Sequence, residues 1–430
     1  MDEQTLLSIL KREVVRTTGC TDPGSVAFAV ARATQELDAT PESVRVTVSP
    51  NIYKNAICVG VPGTGKRGLP IAAALGAILP EKNTEGLALL ATLSEAQLNE
   101  AQALLDAGVV EITYAETPNV LHICAEVRAG DQSVAVTITG DYTNIVEIKH
   151  NDQVTFSKPF EKSEDAQNSL RGAKLEDLYD LVTAMPPDAL NFLVEAAAIN
   201  KQTAETALQD PAMKIGPALQ ARSSEHLVMP FSAIYRSQVL TAAAAEARMY
   251  GLPLPVMAIA GSGNQGISNF LGVLGVAETL GSSKDALAHA LGFSSIVTIF
   301  VQSFAARMTA FCGGTLAAGT GVAGGTVYLL GGSFEDAVHA MQSVIGTLGC
   351  VFCDGAKESC AHHINIAAAT AIQSAYLALQ GVYIPSGSGL VGATIEKTFA
   401  NLGRMNREGM AETDRVLLAL IKEGQAQKPA

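Results

Sequence analysis

The sequence predicts an α+β protein with two unlike parts. An α+β N-terminal domain precedes a large all-α C-terminal domain with a buried, Gly-rich helical core. Three observations carry this. Residues 43–157 contain runs that alternate apolar and polar side chains, the period of half-buried strands. After residue 172 no alternating run of any length returns, and apolar residues recur at helical spacing. Charge is also uneven: Asp, Glu, Lys and Arg make up 17% of the 430 residues, yet only nine fall in 251–395.

The elements follow in order. The segment to about residue 38 reads helical, with a helix start at Thr21-Asp22-Pro23. Val44, Val46 and Val48 alternate with Arg45, Thr47 and Ser49, and similar runs occupy Val110–Ala115, Leu121–Arg128, Gln132–Thr139 and Ile145–His150. Ala129-Gly130-Asp131 reads as a hairpin turn. Helices interrupt the strands at Lys66–Ile78 and after a Ser94/Gln97 capping box, the second stopping at Gly108. Polar residues 158–172 read as a linker. Beyond them Leu175, Leu178, Val182 and Met185 are helically spaced, and Ala233–Arg248 is a strong helix former. Lys422–Ala430 reads as a frayed end, and no internal repeat is present. The expected division is 1–40, a helical segment packing on the C-terminal domain; 41–160, the α+β domain; and 173–430, the all-α catalytic domain.

Met308–Phe334 carries no charge and is long enough to span a bilayer. Its glycine pairs, and the lack of basic flanks and an aromatic belt, favour a buried helix of a soluble protein instead. A chain that is 48% hydrophobic is not disordered. The net charge of −13 argues against nucleic-acid or anionic-membrane partners. Seven cysteines, an odd count, argue against a closed disulfide framework. The acidic, amphipathic start MDEQTLLSILK is unlike a signal peptide, so a reducing cytoplasm is expected, where cysteines serve more often as ligands or catalysts.

Two motifs mislead. Gly60–Arg67 nearly matches a P-loop, but Arg67 replaces the hydroxyl that would hold Mg²⁺; a turn binding a small carboxylate and a purely structural turn stay open. Ser262-Gly263-Asn264-Gln265-Gly266 resembles a pyridoxal-phosphate loop, yet its surroundings read helical and Lys214 is badly placed for a Schiff base. His362-His363 lacks clear zinc spacing.

The cysteines are more informative. Cys58 and Cys124 sit in apolar or strand-like runs and read as small hydrophobes. Cys350, Cys353 and Cys360 cluster, and Cys312 precedes two glycines; such thiolates suit zinc or an iron–sulfur cluster. Cys20 precedes a helix start, where the dipole and free N–H groups favour thiolate.

On these residues the chain resembles the L-cysteine desulfidases, relatives of the iron–sulfur L-serine dehydratase α chain. The segments that carry the resemblance are Gly19–Pro23, Asn51–Asn55, Gly60–Gly65, Gly261–Gly266, Cys312–Gly314, Cys353–Lys357 and Cys360. Asp22 stands where Glu is commoner. The resemblance implies a [4Fe–4S] cluster with one open iron held by Cys312, Cys353 and Cys360, gives Cys350 no ligand role, and makes Cys20 the base. The implied reaction eliminates sulfide from L-cysteine, leaving pyruvate and ammonia. Lys54, Asn55, Thr64, Gly65, Ser262, Gly263 and Asn264 are expected to hold the small amino-acid substrate. Homo-oligomerisation stays open. The rival readings are a [4Fe–4S] serine dehydratase, a pyridoxal enzyme, and a non-catalytic metal-binding or redox protein.

Overall fold

Valines on alternate positions build one sheet, and apolar residues at helical spacing build a bundle beside it. The computed structural model describes residues 1–80, 86–117, 119–159, 170–222, 229, 232–305 and 308–426. The chain opens with α1 (Glu3–Glu13), β1 (Val14–Thr18) and α2 (Thr21–Leu37). It continues through β2 (Ser43–Val48), α3 (Pro50–Ala56), α4 (Leu69–Ile78), α5 (Glu95–Asp106) and β3 (Val110–Tyr114). Four strands then follow: β4 (His122–Ala129), β5 (Gln132–Thr139), β6 (Ile145–His150) and β7 (Gln153–Ser157).

These strands form a six-stranded mixed sheet in the order β3-β2-β4-β5-β6-β7, parallel only between β2 and β3. Val44, Val46 and Val48 point one way and meet Ile123, Ala125, Val127, Val134, Val136 and Ile138. Helices α2 and α4 cover that face, so a period of two on the strands meets apolar helices in one core. The Ser94/Gln97 capping box begins α5, and Gly130 makes the β4–β5 turn with φ +54°.

The helical part comprises α6 (Leu175–Ala184), α7 (Asn191–Gln209), α8 (Ile215–Ala221), α9 (Ala233–Tyr250), then β8 (Pro255–Ile259). After it come α10 (Gly263–Leu280), α11 (Lys284–Ala305), α12 (Gly313–Leu329), α13 (Phe334–Leu348), α14 (Cys360–Leu379), α15 (Ile395–Arg404) and α16 (Thr413–Ala426). Helix α12, inside the charge-free run, is sheathed by α10, α11, α13 and α14, with all but its ends buried. Its glycines let these neighbours approach closely. Among the described residues, Lys284–Ala305 is long and apolar enough to cross a membrane, and it is largely buried as a core helix.

Several expectations need correction. The first 38 residues are not wholly helical, because Val14–Thr18 pairs antiparallel with Pro255–Ile259. The same pairing shows that the later part is not purely helical. Neither run alternates cleanly: β8 is apolar at nearly every position, and a short apolar run cannot be told from buried helix by periodicity. Helix α4 begins at Leu69, since Lys66 and Arg67 complete a turn. Leu170 is fully buried in the helical core, so the expected linker ends earlier than 172; residues 160–169 lie outside the described residues. Lys422–Ala426 continue α16, and 427–430 lie outside the described residues. Helix α1 packs into the helical core, whereas α2 belongs to the sheet core.

The turn Gly60–Arg67 lies where these parts meet. Gly60 donates to the Met249 carbonyl (2.8 Å) and Gly63 to the Gly251 carbonyl (3.0 Å), which fastens the turn to the end of α9. A β-carbon at Gly60 would lie 1.9 Å from the Tyr250 carbonyl oxygen. Gly60→Ala is therefore expected to cost about 3 kcal/mol through overpacking against rigid backbone. Thermal melting tests this; a native Tm for the variant would show that the contact is slack.

Candidate active site

Four cysteines predicted to matter converge where α2, α9, α12 and α14 begin or end. Cys20 is the N-cap of α2, with extended backbone and its side chain free of capping duty. Its Sγ donates instead to Asp22 Oδ2 at 3.2 Å, inside the protein. It packs with Val59 and Met249, and Cys360 and Ala356 rest against that group.

Cys312 caps α12, and Cys360 is the first residue of α14. Cys353 joins them through a short antiparallel bridge between Phe311 and Phe352. In it the Cys312 N–H donates to the Val351 carbonyl (2.9 Å) and the Cys353 N–H to the Ala310 carbonyl (2.7 Å). Burial pushes the Cys312 thiol up to about 11, with the neighbouring Cys353 charge adding to it. Burial also pushes Cys360 up to about 12, followed by the charges of Cys312 and Cys353. The three thiols thus lie within electrostatic reach of one another. Cys312 and Cys360 resist ionising unless a cation compensates, as a metal centre does for its thiolates. Among the described residues no three His, Cys, Asp or Glu side chains form a ready ligand set for a single metal ion. Three soft donors near one another, Cys312 and Cys360 at helix starts and Cys353 in the loop after the Phe311–Phe352 bridge, fit an iron–sulfur cluster, whose thiolates sit on separate corners. Cys350 is exposed and outside this group. Cys58 and Cys124 are only partly buried, more open than a core hydrophobe.

Cys20 departs from the expected ready thiolate. Burial raises its ionisation far above the ordinary thiol range, and the Asp22 charge adds to this against the opposing Arg248. Asp22 is itself raised to about 6, mainly by burial, with the Cys20 hydrogen bond and Arg248 working the other way. A helix N-terminus contributes only partial charge. Full burial beside a carboxylate outweighs it.

The expected substrate-binding residues divide. Asn264 accepts from Arg248 Nη1 at 3.0 Å, and Gly263 lies directly on the Arg248 guanidinium. Ser262 caps α10 by accepting from the Gln265 N–H. Asn264 and Gly263 therefore face the cysteine group through Arg248, while Ser262 serves as a helix cap. Asn55 Oδ1 is buried without a partner, and the Asn55 carbonyl accepts from the Ala356 N–H at 3.2 Å. Lys54 is 2% exposed and committed within the protein. Thr64 spends its hydroxyl inside its own turn, donating to the Val61 carbonyl (2.8 Å) and accepting from the Lys66 N–H (2.9 Å). Gly65 is exposed at the tip. Most N–H groups of this turn are used internally, so it is no open phosphate cradle. It braces the cysteine segment instead, because Arg67 forms a two-pronged ion pair with Glu358, Nη1 to Oε2 at 2.7 Å.

Sequence reasoning passed over Arg248, Gln265 and Gln302 as site residues. Arg248 is 4% exposed, and its Nε has no partner. The Gln265 and Gln302 amides flank Gly313, next to Cys312, and both carry unpartnered buried atoms. A lone arginine closing an Ala-rich helix was the available signal for the first. Nothing local marked Gln302.

Comparison with known proteins agrees with this architecture. A model of the serine dehydratase alpha chain family matches residues 84–419. A UPF0597 protein of Methanocella arvoryzae is 48% identical over 421 residues, 98% of this chain and 99% of its own length. Similar proteins of Bacteroides fragilis and Vibrio campbellii are each 36% identical, over 98% and 96% of this chain and 98% of their own lengths. The family match puts the chain in the serine dehydratase-like lyase class. The chain belongs to the serine dehydratase alpha chain family.

Proposed function

We propose that the protein is a [4Fe–4S]-dependent lyase that removes sulfide from L-cysteine by α,β-elimination. The observation that carries this is the grouping of Cys312, Cys353 and Cys360, with Cys360 packed against the small cluster of Cys20, Val59 and Met249. Cys312, Cys353 and Cys360 would hold the cluster, whose open iron supplies a soft Lewis acid for a leaving thiolate.

The chain's own residues supply the proton chemistry. Cys20 passes its thiol proton along the existing hydrogen bond to Asp22 Oδ2 and takes the substrate's α-proton at Sγ. The C–H electron pair becomes the Cα=Cβ bond while the C–S bond breaks and HS⁻ departs. The 2-aminoacrylate left behind tautomerises and hydrolyses to pyruvate and ammonia. Arg248, with its unpartnered Nε, and the Asn264 amide are the groups suited to a substrate carboxylate.

The family match itself favours a second reading, dehydration of L-serine, in which hydroxide leaves in place of thiolate. The deciding experiment is anaerobic reconstitution followed by sulfide and pyruvate assays with both amino acids. Broad visible absorption, and sulfide release from cysteine at the higher kcat/KM, are expected. Pyruvate from serine at the higher kcat/KM would replace the first reading with the second, and a colourless protein would sink both.

A further inference from the structure

The buried ammonium of Lys54 has two partners, and both come from the C-terminal part of the chain, far from Lys54 in sequence. Its Nζ donates to the Cys353 carbonyl at 2.8 Å and to Asp414 Oδ1. Asp414 lies in the first turn of α16, and its other oxygen accepts from Asn51 Nδ2. Lys54 and Asn51 share α3, so one short helix holds the carboxylate at two points. The next turn of chain is held as well. A β-carbon at Gly355, whose φ is +95°, would lie 2.5 Å from the Lys54 carbonyl oxygen. The Ala356 N–H donates to the Asn55 carbonyl. Backbone from Cys353 to Ala356 is therefore laid along α3.

A carbonyl is a weak partner for a cation kept from water; a carboxylate is the stronger one. Without Asp414 the Lys54 ammonium would have to move toward water and release the Cys353 carbonyl. Asp414 also walls a cleft of about 820 Å³ beside Tyr114, Met410 and Lys422, so water is at hand on that side.

We infer that Asp414 is a positioning residue for Cys353, acting through Lys54, so that docking of α16 sets the geometry of the ligand-bearing loop. This rests on the reading of Cys353 as a cluster ligand. The pair has no sequence signature, because 360 residues separate Lys54 from Asp414.

The test uses the full chain in two states. In the apoprotein, the rates at which iodoacetamide alkylates Cys312, Cys353 and Cys360 are read by peptide mass analysis. Asp414→Asn is expected to raise the Cys353 rate several-fold and leave the other two near native. In the reconstituted protein, the same variant is expected to lose iron to bipyridyl several-fold faster. A core variant remote from the site, Ile138→Val, supplies the comparison for general loosening. Asn51→Ala, which removes only the support of Asp414, should move both readouts the same way by less, and it serves if Asp414→Asn does not fold. Equal acceleration at all three thiols, or none, overturns the inference. A wild-type chain that takes up no iron overturns the function proposed above, while the alkylation pattern still decides the role of Asp414.

Discussion

Asp22→Asn is expected to remove most turnover while raising the melting temperature of the apoprotein at neutral pH. The two effects share one cause. Burial lifts the Asp22 carboxyl from 3.8 to about 6, so the fold prefers it neutral. That rise corresponds to roughly 3 kcal/mol between the protonation states. The folded-state value lies above the unfolded one. Stability from this group is therefore fully present below 3.8 and is lost as pH climbs through about 6. Asparagine keeps an acceptor for the Cys20 thiol and carries no charge to bury. Melts of wild type and variant between pH 4.5 and pH 7.5 should separate with rising pH, the variant staying higher. Activity should move oppositely, since only the carboxylate accepts the thiol proton; wild-type kcat/KM should fall as pH drops through about 6. Loss of a proton acceptor of this kind costs about 100- to 10,000-fold. Cys20→Ala should show a loss at least as large with iron content intact. An Asp22→Asn variant that is active, or less stable than wild type at pH 7.5, would remove the carboxylate from the mechanism.

Most of the fold was legible because local periodicity tracks burial. Val44, Val46 and Val48 announce the sheet, and the Ser94/Gln97 box marks its helix. The miss at Val14–Thr18 and Pro255–Ile259 has a plain reason: their pairing depends on a contact more than 200 residues distant, which no local pattern records. The site divides the same way. Cys20 and the cysteine cluster stand out because thiols are rare and their spacing is short. Lys54 stands in the sequence as a candidate to hold substrate, yet it lies in α3 with its side chain buried. Its burial is created by Asp414 and the Cys353 carbonyl, partners that only the folded chain brings together. The environment of Cys20 was misjudged for a related reason. A helix start is visible in sequence, whereas full burial beside Asp22 is not.

Serine at any one of Cys312, Cys353 or Cys360 is expected to abolish stable iron binding, while Cys350→Ser leaves it intact. The distinction is sharp because Cys350 and Cys353 share one Cys-x-x-Cys pair, which by spacing alone suits a redox couple or a zinc half-site. The Phe311–Phe352 bridge turns Cys353 toward Cys312, and Cys350 lies outside, exposed. Cys312 and Cys360 each head a long helix, so neither can shift to make up for a missing donor without moving α12 or α14. Iron per chain after anaerobic reconstitution, with the visible spectrum, measures the outcome: near background for the three serine variants and close to native for Cys350→Ser and Cys20→Ala. In the apoprotein burial keeps the Cys312 and Cys360 thiols protonated, with values of about 11 and about 12, so at neutral pH they are uncharged and the serine variants remove no electrostatic interaction there. Without metal, thermal melting of the serine variants should therefore stay close to wild type, so that lost iron reports on ligation and not on unfolding. Loss of iron in Cys350→Ser with retention in Cys353→Ser would exchange the two ligands. Equal loss in Cys20→Ala would make the proposed base a fourth ligand and leave no open iron for the substrate.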